Sequence, residues 1–227
     1  FAPNTLMEPD MNFEQARFNM VEQQIRPWQV LDKDVLQVLS HVRREWFVPA
    51  AYQNLAYTDV AIPLAHGEHM EPPRIDARLM HDLQLKGCEK VLEIGVGHGY
   101  LTALLAGRAQ SVIGLEQHAD LAAQARQNLQ RAGVHNADVR VADGSQGLAG
   151  EGPFDAIVLG GSVAEVPQSL LDQLAVGGRL IAVVGTDITM SATRFTRTST
   201  THWDSVKLWD AQTAPLHGFP EPAHFQF

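Results

Sequence analysis

Residues 91–100 read V-L-E-I-G-V-G-H-G-Y, and this stretch decides the fold. A short β-type run ends in Gly95, Gly97 and Gly99, and a helical pattern begins at Tyr100. A glycine-rich turn between a strand and a helix lets the backbone approach a ligand at the carboxyl end of the strand, where open α/β sheets bind. The stretch therefore predicts the first strand, turn and helix of a Rossmann-like sheet.

The spacing of the glycines indicates which ligand the turn binds. A dinucleotide fingerprint reads G-x-G-x-x-G, whereas this turn reads G-x-G-x-G with Glu93 two residues before the first glycine. A carboxylate there is unfavourable beside a pyrophosphate and favourable near the ammonium of an amino-acid moiety. The turn therefore favours S-adenosylmethionine over NAD.

Acidic residues also end the next two predicted strands. Glu116 follows Gly95 by 21 residues, where a carboxylate can accept hydrogen bonds from both hydroxyls of a ribose. Asp143 ends the third strand, where an acceptor could meet an adenine amino group. Each signal alone is weak, and together they predict a nucleoside site. The predicted cofactor-binding residues are Glu93, Gly95, Gly97, Gly99, Glu116, Gln117, Asp143, Gly144 and Met70.

Strand and helix patterns alternate along the rest of the chain. Five β-type runs follow Lys90, and helical patterns at 100–106, 119–132 and 166–174 lie between them. Nearly all-apolar strands in this alternation predict a doubly wound, mostly parallel sheet covered on both faces, within a domain at 90–227. V-K-L-W at 206–209 and A-P-L-H-G-F at 214–219 predict a terminal antiparallel hairpin at the sheet edge. The Thr- and Ser-rich residues 190–201 are interpreted as a flap near the site or an exposed loop.

The residues before Lys90 predict a helical and loop-rich region at 12–89. Apolar spacing indicates a helix over 12–25 that ends at Arg26-Pro27, and Asp32 can cap a second helix. Pro73 suits the first residue of a third helix. Residues 1–11, which contain Met7 and Met11 as plausible initiators, are interpreted as a leader.

Composition excludes several classes of protein. The 227 residues carry a net charge of −9 with scattered basic residues, which argues against a nucleic-acid partner. The single cysteine, Cys88, cannot form an internal disulfide. No apolar run approaches the ~20 residues of a membrane span, and no signal peptide precedes the first helix. We expect a cytoplasmic protein that does not interact with membranes.

Residues 66–73, H-G-E-H-M-E-P-P, raise the question of a metal or acid/base site in the loop before the third helix. An H-x-x-H pair in a Gly/Pro loop does not fix both rings on one face, as a helical H-E-x-x-H does. No third cluster of ligands accompanies the pair in the sequence. We therefore expect no metal.

Longer motifs resemble the protein-L-isoaspartate O-methyltransferase family, in the order that the family has them. They are M-V-E-Q-Q-I at 20–25, R-R-E-W-F-V-P at 43–49, the glycine-rich turn, P-F-D-A-I-V at 153–158 and L-A-V-G-G-R-L-I-A-V-V-G at 174–185. The match runs from about Met20 to the C-terminus. The resemblance implies a doubly wound sheet, S-adenosyl-L-methionine as methyl donor with S-adenosyl-L-homocysteine as product, and repair methylation of isoaspartyl carboxylates in damaged proteins and peptides.

The loop at 66–73 corresponds to the active-site loop of that family, which reads approximately G-Q-T-I-S-Q-P. Alignment on Gly67 and Pro73 places Glu71 opposite the catalytic Ser and His69 opposite Thr. The resemblance thus implies Glu71 and His69 as catalytic residues. An ionised Glu71 about 4 Å from an acceptor carboxylate would cost on the order of 4 kcal/mol at an effective dielectric near 20.

Three readings of Glu71 stay open on the sequence. Burial could keep it protonated, it could face the sulfonium, or it could be a general base for a hydroxyl or amine acceptor. The leading hypothesis is a methyltransferase that acts on isoaspartyl protein or peptide substrates. The alternatives are a methyltransferase of the same fold with a small-molecule hydroxyl or amine acceptor, and a non-catalytic cofactor-binding homologue.

Overall fold

The computed structural model describes residues 12–186 and 189–221, so the predicted leader at 1–11 lies outside the described residues. The N-terminal region is helical, as predicted. Its elements are α1 (Phe13–Asn19), α2 (Lys33–His41), the short antiparallel pair β1 (Ile62–Pro63) and β2 (His69–Met70), and α3 (Pro73–Leu83).

The residues that the sequence indicates as the starts of the second and third helices are found at those positions in the structure. The Asp32 carboxylate accepts hydrogen bonds from the backbone N–H groups of Asp34 (2.8 Å) and Val35 and so caps α2. Pro73 is the first residue of α3. The first helix changes its geometry: a π-helical turn over Met20–Ile25 and a 3-10 turn over Arg26–Trp28 follow α1. Pro27 has no N–H to continue an α-helical pattern.

The central sheet has seven strands in the order β5-β4-β3-β6-β7-β8-β9. The first five strands of that order are parallel, and the last two are antiparallel to their neighbours. The strands are β3 (Lys90–Ile94), β4 (Ser111–Glu116), β5 (Ala137–Val141), β6 (Phe154–Val163), β7 (Leu174–Thr186), β8 (Thr189–Ser199) and β9 (His202–Asp210). The helices between them are α4 (Tyr100–Ala106), α5 (Ala119–Arg131) and α6 (Gln168–Leu171).

Both faces of the sheet are covered, which confirms the predicted Rossmann-like, doubly wound architecture. Apolar residues of α3 and α4 pack on one face with Val91, Val112 and Val158, and α5 joins the cluster beside them. The opposite face buries Leu92 and Ile157 against α6. In the sheet, β4 and β5 lie on one side of β3, and β6 and β7 lie on its other side. The carboxyl ends of β3 and β6 therefore form the topological switch point, where such sheets bind ligands.

The antiparallel hairpin at the sheet edge is confirmed, but its strands are β8 and β9 rather than 206–209 paired with 214–219. The Thr- and Ser-rich stretch, expected to be a flap or loop, forms most of β8, because β-branched Thr suits a strand. Residues 214–219 instead return to the end of β6. The Ser162 N–H donates to the Ala214 carbonyl, and the Leu216 N–H donates to the Ser162 carbonyl, both at 2.8 Å.

Within residues 12–186 and 189–221, no helix has the length and apolar character needed to cross a bilayer.

Candidate active site

A cavity opens at the switch point. It is bounded by the carboxyl ends of β3, β4 and β6, by the loop before α3 and by the returning C-terminal segment. Of the predicted site residues it is lined by His69, Met70, Glu71, Glu93, Gly95, Gly97, Glu116, Gln117 and Gly144. Gly99 and Asp143 are not among its lining residues.

The glycine-rich turn forms the floor of the cavity. Gly95, Gly97 and Gly99 have φ of 86°, 57° and 89°, in the left-handed region that favours glycine. Gly99 has a packing role, because a Cβ there would lie 3.3 Å from the Ala125 side chain of α5. The absence of side chains keeps the turn tight against its neighbours and opens the cavity to a ligand.

Glu116 is held at the end of β4 by two backbone donors. Its carboxylate accepts from the N–H groups of Gly97 (2.8 Å) and His118 (3.0 Å). Each oxygen keeps a further lone pair, and the residue lines the cavity. This geometry supports Glu116 as a ribose acceptor, and the assignment stays a prediction.

Glu93 is the least satisfied group of the site. It is 0% exposed, and neither carboxylate oxygen has a hydrogen-bond partner among the described residues. Burial, with the charges of Asp76 and Glu116, raises the pKa of Glu93 to about 8, although the nearby hydroxyl of Thr102 opposes the rise. A cationic group in the cavity would supply the missing partner, as the ammonium of S-adenosylmethionine would.

Asp143 is exposed at the rim, outside the cavity. Its carboxylate accepts from the Ser145 N–H at 2.9 Å and caps a 3-10 turn. Its neighbours Ala142 and Gly144 line the cavity. The structure thus brings the end of this strand to the site without placing the Asp143 side chain there, and its contact with adenine stays a prediction.

The first half of the loop at 66–71 makes side-chain contacts across the mouth of the cavity. His66 Nε2 lies 2.8 Å from Asp120 Oδ1, and the His66 ring stacks on that of His118 at 4.1 Å. Glu68 Oε1 lies 3.5 Å from His118 Nε2 and 3.3 Å from His217 Nε2. These contacts, here termed the mouth clasp, join the loop to the start of α5 and to the C-terminal segment. No group of three or more His, Cys, Asp or Glu residues in the described parts of the chain could hold a metal ion.

The second half of the loop belongs to a buried charged cluster that the sequence analysis missed. Arg44 is completely buried: its Nη1 lies 3.3 Å from Asp76 Oδ2, its Nη2 donates to the Glu71 carbonyl at 2.6 Å, and its guanidinium lies 4.5 Å from the Tyr100 ring centroid. Asp76 and Glu71 line the cavity. Arg44 sits inside the R-R-E-W-F-V-P motif, and Asp76 is an acidic residue in the first turn of α3; both are signals that could have been used.

Burial raises the pKa of both acidic residues in this cluster. For Asp76 the pKa rises to about 7, although the charge of Arg44 lowers it. For Glu71 burial and the charge of Asp76 raise the pKa to about 8, opposed by the Ala214 N–H and by Arg44. Glu71 thus holds its proton at neutral pH.

A second, more open cleft adjoins the cavity across β2. It is lined by Ala61, His69, Glu71, Pro72, Met190 and residues 212–214. His69 and Glu71 line both spaces. The two predicted catalytic residues therefore stand where a ligand in the cavity and a second molecule in the cleft could meet.

Comparison with known proteins gives a consistent result. A family model described as Protein-L-isoaspartate(D-aspartate) O-methyltransferase (PCMT) matches residues 15–211. Protein-L-isoaspartate O-methyltransferase 1 of Syntrophobacter fumaroxidans is 43% identical over 175 residues, covering 77% of this chain and 82% of the relative. The enzyme of the same name from Rhodopseudomonas palustris is 42% identical over 210 residues, covering 91% and 85%.

A solved structure shares the whole fold. A crystal structure from Plasmodium falciparum, described as a beta-aspartate methyltransferase in complex with S-adenosyl-L-homocysteine, matches with a TM-score of 0.73 and 25% identity. The match covers 90% of this chain and 98% of that one.

Proposed function

The chain belongs to the protein-L-isoaspartate(D-aspartate) O-methyltransferase family, and on that premise we propose that it methylates the free carboxylate of isoaspartyl residues in proteins and peptides, with S-adenosyl-L-methionine as donor. One observation carries the proposal: a glycine-lined acidic cavity and an open cleft meet at Glu71. When bound, the donor supplies a sulfonium methyl group, to which the carboxylate oxygen bonds as the carbon–sulfur bond breaks and its electron pair stays on sulfur.

The cavity suits the donor in its charge and in its lining residues. Glu93 offers two unpartnered oxygens to an ammonium, and Glu116 offers lone pairs to ribose hydroxyls. Gly95, Gly97 and Gly144 let a nucleoside approach the backbone. Because the cavity is acidic, it favours a cationic ligand over a pyrophosphate.

The cleft suits a protein or peptide acceptor. It is open, Glu71 is among its lining residues, and no residue of the glycine-rich turn lines it. Transfer to a carboxylate depends mainly on positioning, since an ionised acceptor oxygen needs no base to activate it. The net charge of −9 and the scattered basic residues support a protein substrate rather than a nucleic acid.

Methyl transfer can be tested directly. The protein is incubated with labelled methyl donor and an isoaspartyl peptide, beside the same peptide with a normal aspartyl residue. We expect label in the isoaspartyl peptide alone. Donor binding without transfer to that peptide would contradict the proposed acceptor and favour a hydroxyl or amine acceptor or a non-catalytic role.

A further inference from the structure

The protonation state of Glu71, the residue that faces the acceptor, depends on its cluster with Asp76 and Arg44. We propose that Glu71 meets the acceptor carboxylate as a neutral acid that donates a hydrogen bond to it. Asp76, held by Arg44, is the positioning residue that keeps Glu71 in this form. The inference rests on the proposed isoaspartyl acceptor and adds the means by which a glutamate can serve at this position of the loop.

Arg44 contacts the two acidic residues in different ways. The guanidinium pairs with the carboxylate of Asp76, but it reaches only the main-chain carbonyl of Glu71. Arg44 therefore orients the Glu71 backbone, and the Glu71 carboxyl has no ion-pair partner within residues 12–186 and 189–221. Because one buried cation serves the buried Asp76 and the half-buried Glu71, the favoured arrangement has one carboxyl group ionised and one neutral.

The surroundings of Glu71 agree with this division. The titratable and charged groups around it are Asp76 on α3, Arg44 on the turn before the cleft and His69 on β2, and the Ala214 N–H faces it from the C-terminal segment. Burial and the negative charge of Asp76 raise the pKa of Glu71 to about 8. Burial also raises the pKa of Asp76, to about 7, because the guanidinium of Arg44 opposes only part of that rise. Glu71 is thus the weaker acid of the pair, and a proton that the pair shares resides preferentially on Glu71.

A neutral Glu71 removes the conflict that the sequence raises. An ionised glutamate would repel the acceptor carboxylate by on the order of 4 kcal/mol, whereas its acid form can donate to the acceptor oxygen that does not react. The reaction releases no proton, since a negative carboxylate and a positive sulfonium become a neutral ester and a neutral thioether. The proton of Glu71 stays on Glu71 throughout. A hydroxyl or amine acceptor would require the opposite, an ionised glutamate acting as base.

The test is a pH profile with matched variants. Formation of S-adenosyl-L-homocysteine is measured from pH 6 to 9.5 with the isoaspartyl peptide, because a methyl ester would itself hydrolyse in alkali. We expect the rate of the unaltered protein to fall above about pH 8. Glu71→Gln, which keeps a donor at every pH, should retain the rate at pH 7 within about fivefold and lose the alkaline decline.

Two further variants identify the responsible groups. Asp76→Asn removes the negative charge beside Glu71 and should move the alkaline decline to lower pH by about one unit. His69→Gln should leave the decline in place, which shows that the imidazole does not cause it. The exposed Glu22→Gln is the matched control and should reproduce the unaltered profile.

A binding measurement supplies a readout independent of turnover. Calorimetric affinity of the isoaspartyl peptide for the complex with S-adenosyl-L-homocysteine should weaken above about pH 8 in the unaltered protein and stay constant in Glu71→Gln. This measurement does not depend on the Asp76→Asn variant, which could fail to fold because the change leaves a buried guanidinium unpaired.

The outcomes separate this inference from the proposed function. No transfer to the isoaspartyl peptide by the unaltered protein would overturn both. Selective transfer that rises toward pH 9, or that Glu71→Gln abolishes at pH 7 with donor binding intact, would overturn the inference and leave the function standing.

Discussion

Glu93 is a single residue that restricts which class of ligand the cavity can bind favourably. A completely buried carboxylate without hydrogen-bond donors is unfavourable, and burial accordingly raises its pKa to about 8. A cationic ligand converts that cost into a charge-assisted contact. The acidic cavity is therefore poised for a ligand that carries an ammonium or a sulfonium.

The first prediction follows from this residue. Glu93→Gln keeps the shape of the side chain and removes the charge, so affinity for S-adenosyl-L-homocysteine should fall about 10- to 100-fold, which corresponds to roughly 1.5–3 kcal/mol for a hydrogen bond to a charged group. Isothermal titration calorimetry measures it, with Glu22→Gln as the control. Unchanged affinity would remove Glu93 from the ammonium site.

The second prediction concerns the contact between strands at the switch point. A Cβ at Gly160 would lie 2.3 Å from the carbonyl oxygen of Gly95, so Gly160→Ala must displace the glycine-rich turn. Donor affinity should fall at least about tenfold while the circular dichroism spectrum is retained. Gly150→Ala is the matched control, because a Cβ at Gly150 meets no heavy atom within 4 Å. Equal affinity in both variants would show that the turn does not set the site.

At the scale of elements, the mouth clasp joins three segments that are far apart in sequence. Its side-chain contacts are partly exposed, with side-chain exposures of 21% for Glu68 and 58% for His217. Pairs of this kind contribute about 0.2–1 kcal/mol. The clasp can therefore tune the opening of the cavity without determining the fold.

The third prediction concerns this clasp. Glu68→Gln weakens the contacts with His118 and His217, so S-adenosyl-L-homocysteine should dissociate about two- to fivefold faster. Stopped-flow displacement measures the rate. Adding His217→Ala to Glu68→Gln should change the rate little further, because Glu68→Gln already weakens the contact between Glu68 and His217. Fully additive effects would contradict a shared clasp.

Elements with strong local signals could be predicted from the sequence. The strand at 90–94 with its glycine-rich turn, the Asp32 cap and the start of α3 at Pro73 are set by patterns a few residues long. β8 was not predicted, because its many Thr and Ser residues lack the apolar alternation of a strand. β8 pairs with β7, a strand whose apolar pattern is evident in the sequence. Backbone hydrogen bonds to β7 therefore stabilise β8 as a strand, although its own sequence has no strand pattern.

At the scale of the whole molecule, the site depends on contacts between distant segments. Arg44, Asp76 and Leu216 meet around the ends of β3 and β6. No local pattern reports such a meeting, so Glu71 and Glu93 could be predicted as site residues from the sequence, but the buried ion pair of Arg44 and Asp76 could not. Gly99 packs against Ala125 and Asp143 caps a 3-10 turn in the described structure, and their predicted contacts with the cofactor stay predictions.

The central claim is that a glycine-lined, acidic cavity at the switch point binds a sulfonium nucleoside. Calorimetric titration of the purified protein with S-adenosyl-L-homocysteine, beside NAD under the same conditions, tests it most directly. We predict saturable, one-to-one binding of S-adenosyl-L-homocysteine and no measurable heat with NAD. Tight uptake of NAD with indifference to S-adenosyl-L-homocysteine would contradict the claim.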